Sequence, residues 1–216
     1  QVQKFATQVR NGELTNEQGE PFRHVLVIGI GGSALGPQFV DLALRSPLAK
    51  IQLHFLDNTD PDGFEAVFAT LHNELSRTLC IVISKSGSTK ETRNAMLETQ
   101  HVYAATGLRF APHALAVTSA GSQLDQLALE ENWLARFPMW DWVGGRTSEF
   151  SAVGLLPAAL QGVHINELLA GAKAMDEHGR NADPKKNPAA QLALMWWYAG
   201  QGRGDKAMVV LPYKDR

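Results

Sequence analysis

The feature that most constrains this chain is a regular alternation of short apolar runs and helical stretches between residues 24 and 139. Apolar runs rich in β-branched residues, without polar alternation, are typical of parallel strands buried on both faces. Strands that alternate with helices predict a parallel sheet with helices on both sides. We therefore predict an α/β fold, a three-layer αβα sandwich with a five-stranded parallel sheet. The predicted strands are His24–Ile30, Ile51–Leu56, Cys80–Ile83, His113–Thr118 and Ala135–Met139.

The loop after the third predicted strand is rich in small hydroxyl side chains. It begins at Ser84, and a helix is predicted from Lys90 to about Tyr103. A helix start leaves backbone N–H groups unpaired at the positive end of the helix dipole, which favours an anion. Hydroxyl groups add hydrogen-bond donors without adding charge. A phosphate monoester fits this demand, and the predicted ligand residues are Ser84, Ser86, Ser88, Thr89 and Thr92.

The same loop has a simpler interpretation, a turn with one N-cap residue before a helix. Five hydroxyl side chains within nine residues exceed what one cap needs. That density favours the phosphate site.

A second glycine-rich loop, Gly29–Gly36, follows the first predicted strand. It formally matches the dinucleotide fingerprint G-x-G-x-x-A, but the expected acidic residue, Asp57, lies 28 rather than about 20 positions after the first glycine. The loop could also be a structural turn, or a second wall of a phosphosugar pocket with donors from Gly32 and Ser33. We favour the pocket, because the hydroxyl-rich loop already supplies a phosphate site. The carboxyl ends of parallel strands share one edge of the sheet, so both loops can line one cleft.

The stretch Trp140–Ser151 contains a third glycine loop. The pair Gly144-Gly145 allows a close backbone approach, and Arg146 offers a fixed positive fork for an anionic oxygen. The alternative is a plain turn with a surface arginine, but an arginine between two glycines and a hydroxyl pair favours function. The two tryptophans of this stretch are expected in the core.

Composition excludes several classes of protein. Twenty basic and 22 acidic residues among 216 give a net charge of −2, which argues against a general nucleic-acid surface. No apolar run reaches the length of a membrane span. The single cysteine, Cys80, cannot form an internal disulfide, and we expect it to be a small buried hydrophobe in a reducing compartment. The acidic loop 57–63 predicts helix capping rather than a metal site, with Asp62 capping a helix from Phe64 to about Leu75.

Three segments describe the predicted domain organisation. Residues 1–22 are a polar lead-in, 23–200 form the first domain, and 201–216 begin a second domain with a new strand at Lys206–Leu211. Helices are predicted from Ser151 to about Gln161, from Asn166 to about His178, and from Ala189 to Gly200. The absence of an initial methionine and the final apolar run suggest part of a longer protein.

Three stretches together resemble the glucose-6-phosphate isomerase family: Gly29–Gly36, Ser84–Thr92 and Val143–Leu155. The first two alone would indicate only the wider sugar-isomerase (SIS) fold, whereas Gly-Gly-Arg-x-Ser after Trp-Asp-Trp is the specific feature. The resemblance covers nearly the whole chain. Thr147 departs from the pattern, since many relatives carry an aromatic side chain there.

The resemblance implies interconversion of glucose 6-phosphate and fructose 6-phosphate through a cis-enediol, without cofactor or metal. It implies a cytoplasmic homodimer with no nucleic-acid or membrane partner. The general base, the ring-opening histidine and a late lysine are expected beyond residue 216, so this chain should not turn over alone. None of its seven histidines matches the family's catalytic histidine. The implied site residues are Ser84, Ser86, Thr89 and Thr92 for the phosphate, Gly32 and Ser33 for the sugar, and Gly145 and Arg146 for carbons 1 and 2.

Two other functions remain open at this point. A non-catalytic SIS sensor would bind a sugar phosphate with the same loop, but it usually carries a DNA-binding helical domain. A dinucleotide-dependent oxidoreductase would use the Gly29–Gly36 loop instead.

Overall fold

The computed structural model describes residues 1–211, and its first compact unit, Gln1–Ile165, is built on a sheet of five parallel strands. The strands are β1 His24–Ile28, β2 Gln52–Leu56, β3 Thr78–Ile83, β4 Ala114–Thr118 and β5 Ala135–Pro138. Their order is β2-β1-β3-β4-β5, and every neighbouring pair is parallel. The predicted sheet is confirmed. The chain reverses its direction of travel across the sheet between β1 and β3, the position where such folds bind ligands.

Helices cover both faces of this sheet. The helices of the first unit are α1 Val2–Arg10, α2 Gly32–Leu44, α3 Pro61–Leu71, α4 Lys90–Ala105, α5 Gln123–Glu130 and α6 Ala152–Gln161. Alternate strand residues point to opposite faces, so β3 places Ile81 in a core with α1 and α6, and Cys80 in a core with α4 and α5. The three-layer αβα architecture is therefore confirmed.

The lead-in segment contains a helix that the sequence analysis did not predict. Helix α1 buries Phe5, Ala6 and Val9 on one face, and it packs against α6. Phe5 meets Phe137 of β5 edge to face, with ring centroids 5.4 Å apart. The polar residues between these positions obscured the helical spacing of the apolar ones.

The predicted cap of α3 is wrong by two residues. Asp60, rather than Asp62, is the N-cap residue, and its carboxylate accepts a hydrogen bond of 3.2 Å from the Asp62 N–H. The reason is Pro61, whose fixed φ suits the first helical position and starts the helix earlier.

The second compact unit begins at Asn166 and is helical. It contains most of α7 (Ile165–Gly179), a 3₁₀ turn at Pro184–Lys186, and α8 (Pro188–Ala199). The predicted strand at Lys206–Leu211 is wrong, because a strand needs a partner for its backbone and the described residues of this unit form no other strand. The proposed start of a second domain at 201–216 lies partly outside the described residues. The domain boundary at residue 200 stays a prediction.

Within residues 1–211, none of the helices combines the length and the apolar character that crossing a membrane would require.

Candidate functional site

A cleft of about 570 Å³ opens at the carboxyl ends of β1, β3 and β4. It lies where the strand order reverses, and at the strand ends where the sequence analysis expected the two loops to meet. Five of the predicted site residues line it together: Ser33, Ser84, Ser86, Thr89 and Thr92. The other lining residues are Ile30, Ile83, Lys85, Ser119, Ala120, Gly121, Ser122 and Asp141.

The hydroxyl-rich loop after β3 is stabilised by hydrogen bonds among its own residues. The Ser84 hydroxyl accepts from the Gly87 N–H at 3.1 Å and donates to the Thr89 hydroxyl at 3.2 Å. The hydroxyls of Ser86 and Ser88 lie 2.8 Å apart. Thr89 occupies the N-cap position of α4, yet its side chain does not cap the helix. The loop is therefore more than a capped turn, and the start of α4 faces the cleft without a side-chain cap.

Thr92, in the first turn of α4, has a buried hydroxyl without a partner. Its side chain lines the cleft, its residue is only 3% exposed, and no hydrogen-bond partner for its oxygen lies among residues 1–211. An unpaired buried hydroxyl costs about 1–3 kcal/mol. A ligand oxygen that reached this hydroxyl from the cleft would remove that cost.

The loops carrying Gly32 and Arg146 pack directly against each other. The carbonyl oxygen of Gly145 lies so close to Gly32 that a Cβ at this position would overlap it. One guanidinium nitrogen of Arg146 lies 2.8 Å from the point a Cβ on Gly31 would occupy. The Ser148 hydroxyl donates to the carbonyl of Gly32 at 3.4 Å.

This packing places the remaining predicted site residues beside the cleft. Gly32, Gly145 and Arg146 are not part of its lining, but Gly32 adjoins Ser33, which is. Arg146 is an exposed residue at this edge of the sheet. Gly31, the residue before α2, has a φ of +59°, a conformation that favours glycine.

Sequence reasoning missed the loop after β4 as part of the site. Ser119–Ser122 line the cleft, and Thr118 donates its hydroxyl to the carbonyl of Ser84 at 2.6 Å. Ser122 caps α5 through its hydroxyl, which accepts from the Asp125 N–H at 3.1 Å. The position of this loop could have indicated its role, because it follows a predicted parallel strand and so lies at the edge of the sheet where ligands bind.

Sequence reasoning also missed Glu149, a buried carboxyl group near the Arg146 loop. Neither carboxyl oxygen has a hydrogen-bond partner among residues 1–211. The group lies between Gly36 of α2 and Gly154 of α6, close enough that a Cβ on either glycine would collide with it. Burial raises the pKa of Glu149 to about 7, from an ordinary value of 4.5. Burial therefore favours the protonated form of this carboxyl group.

The expectation that the tryptophans of this stretch are core residues is wrong. Trp140 and Trp142 are 51% and 78% exposed, and their rings stack at 5.4 Å with an interplanar angle of 8°. Each ring shields one face of the other, so this exposed pair covers part of its own apolar surface.

Three other ionisable side chains, Cys80, His24 and His54, are not part of the cleft lining. Cys80 is fully buried, as expected; burial raises the pKa of its thiol to about 12, and Tyr103 is its hydrogen-bond partner at 3.4 Å. His24 and His54 bond to each other at 3.0 Å, and burial lowers the pKa of both. Across residues 1–211 no cluster of three or more His, Cys, Asp or Glu side chains could hold a metal ion.

Comparison with known proteins gives a consistent result. The profile of the family described as phosphoglucose isomerase matches residues 1–216. Curated proteins named glucose-6-phosphate isomerase from Synechococcus elongatus and Thermosynechococcus vestitus are each 60% identical to the chain, over 99% and 100% of its length. A crystal structure of a glucose-6-phosphate isomerase from Chlamydia trachomatis matches 92% of the chain at 31% identity, with a TM-score of 0.81.

The chain spans only part of these relatives. It covers 40% and 41% of the two curated proteins and 36% of the crystallised one.

Proposed function

Because the chain belongs to the phosphoglucose isomerase family, we propose that it forms the phosphosugar-binding part of an enzyme that interconverts glucose 6-phosphate and fructose 6-phosphate. The observation that carries the proposal is the convergence of three loops. A hydroxyl-lined cleft with an uncapped helix start lies beside the loop that presents Arg146.

In this proposal the loop after β3 and the first turn of α4 hold the phosphate. Ser84, Ser86, Thr89 and Thr92 line the cleft there. The unpartnered hydroxyl of Thr92 supports the assignment, because a phosphate oxygen is the acceptor it lacks. The α4 dipole adds a favourable field for a doubly charged ester.

The sugar would extend from the phosphate towards the edge formed by Gly32, Ser33 and Gly145. Moving a proton between carbons 2 and 1 creates negative charge on the enediolate oxygens. A guanidinium placed near those oxygens stabilises that charge in the transition state, which is the role we assign to Arg146. Its packing against Gly31 supports this assignment, since a side chain held by a backbone loses little freedom on binding.

The reaction also needs a general base and an acid–base group for ring opening. The chain spans about 40% of the length of its curated relatives. We propose that these groups come from the remaining part of the full gene product, which acts as a cytoplasmic homodimer.

A dinucleotide-dependent oxidoreductase is less compatible with the geometry. In dinucleotide-binding folds the pyrophosphate approaches the glycine turn at the helix start. Here the backbone of Gly145 occupies that approach at Gly32. A sensor that only binds sugar phosphates would not need an arginine at the sugar end of the cleft.

The test compares binding and turnover. Fructose 6-phosphate and inorganic phosphate should raise the melting temperature of the protein, whereas NAD should not. The full gene product should interconvert the two hexose phosphates, and the 216-residue chain alone should not. Stabilisation by NAD alone, or the absence of turnover by the full product, would overturn the proposal.

A further inference from the structure

Lys85 lies in the middle of the phosphate loop, yet its ammonium group is directed at backbone rather than at the cleft. It donates to the carbonyl of Asp141 at 2.7 Å and to that of Val143 at 3.1 Å. A lysine beside a phosphate site is ordinarily taken as a charge that contacts the anion. Here two of its three donors are already committed.

The backbone of Lys85 is also fixed. Its carbonyl accepts from the Ser119 N–H at 3.1 Å. The residue therefore joins the ends of β3 and β4 through its backbone, and joins the loop at 141–143 through its side chain. Neither connection depends on a ligand.

The loop that Lys85 holds leads directly into Gly144-Gly145-Arg146. Val143 is buried and supplies an apolar anchor at this point. On the far side of Arg146, the hydroxyl of Ser148 ties the loop to Gly32. Between these two ends the chain makes one turn hydrogen bond, from the Thr147 N–H to the Gly144 carbonyl at 3.3 Å. These two attachments fix the loop on either side of Arg146, whose guanidinium packs against Gly31.

We propose that Lys85 is a positioning residue for Arg146. It fixes residues 141–143, where the loop that carries Arg146 begins, and so fixes the position of the guanidinium relative to the residues assigned to the phosphate. This inference rests on the proposed function and adds to it a rigid connection between the two ends of the site. Misplacing a catalytic group by about 1 Å can lower a rate by roughly a hundredfold, so such a connection affects turnover more than binding.

The test uses the full gene product with Lys85→Met, Arg146→Ala and the double variant. Lys85→Met should lower kcat by roughly ten- to a hundredfold. The inhibition constant of inorganic phosphate should rise at most about fivefold, the effect of removing a nearby solvated charge. Since Lys85 acts through Arg146, adding Lys85→Met to Arg146→Ala should lower kcat no further.

Ser86→Ala is the comparison variant, because Ser86 lines the cleft and is assigned to the phosphate itself. Ser86→Ala should raise the inhibition constant of inorganic phosphate. Its effect on kcat should multiply with the effect of Arg146→Ala. If Lys85→Met behaves in this way, Lys85 is a phosphate ligand and the inference is wrong.

A second readout does not depend on turnover. Lys85→Met should speed amide hydrogen exchange in residues 140–148, while Ser86→Ala should leave that segment unchanged. A wild-type protein without isomerase activity would refute the proposed function, and the exchange experiment would still decide the role of Lys85. Unchanged exchange in the Lys85→Met variant would overturn the inference.

Discussion

The buried carboxyl group of Glu149 gives a prediction about stability and pH. Burial raises its pKa from 4.5 to about 7 in the folded protein, which means that folding favours the protonated form. Below its unfolded-state pKa, such a group does not lower the free energy of unfolding, because it is protonated in both states. The cost grows as the pH rises from 4.5 to 7 and stays constant above that. At about 1.4 kcal/mol per pH unit, the full cost is at most roughly 3 kcal/mol, of which less than about 1 kcal/mol is present at pH 5.

Glu149→Gln removes this dependence, because a glutamine has the shape of the protonated acid and no charge. The variant should unfold with nearly the wild-type free energy at pH 5. At pH 8.5 it should be more stable than the wild type by about 2 kcal/mol, a value reduced from the maximum because the side chain is not wholly screened from solvent. Urea unfolding at the two pH values measures both differences.

The matched control is Glu98→Gln on α4, where the glutamate is exposed. It should change stability by less than about 0.5 kcal/mol at either pH. A gain in unfolding free energy from Glu149→Gln that is equal at pH 5 and pH 8.5, or larger at pH 5, would refute the reasoning.

Two further predictions concern packing at the cleft. Thr92→Val should raise the unfolding free energy of the ligand-free protein by about 1 kcal/mol, since the unpaired hydroxyl is removed, and should weaken phosphate binding in a calorimetric titration. Thr99→Val, seven residues along the same helix, removes a hydroxyl that donates to a backbone carbonyl at 2.7 Å and should destabilise instead; equal effects at both positions would contradict the argument. Gly32→Ala should lower kcat of the full gene product by roughly tenfold or more, because the added Cβ displaces the carbonyl of Gly145. Gly171→Ala, at a helical glycine with open space around it, should leave kcat unchanged, and similar losses in the two variants would show that the contact is unimportant.

Much of the fold could be predicted because its signals are local. Strands β1, β3 and β4 are short, mostly apolar runs, and each of the first four strands leads into a loop and a helix. The hydroxyl-rich loop after β3 was recognisable for the same reason, since its hydroxyl side chains lie close together between Ser84 and Thr92.

What the sequence did not predict depends on partners that are distant along the chain. The apolar face of α1 packs against α6, which lies far away in the sequence. The direction of the Lys85 side chain depends on hydrogen bonds to backbone carbonyls 56 and 58 residues away. Glu149 resembled an ordinary surface acid in sequence, because its burial results from two glycines on different helices. At Lys206–Leu211 the sequence predicted a strand that does not form. The composition is strand-like, but the described part of the second unit contains no neighbouring strand for it to pair with.

The contact between Ser148 and Gly32 joins residues 116 positions apart, and it sets an order in which the site can assemble. Closing so long a loop costs more chain entropy than forming the turns after β3 and β4, which use nearby residues. A chain emerging from the ribosome would thus form the hydroxyl-rich loop after β3 before the loop that carries Arg146 reaches Gly32. Under the proposed function, the phosphate-binding residues would therefore be in place during synthesis before the arginine that acts on the sugar.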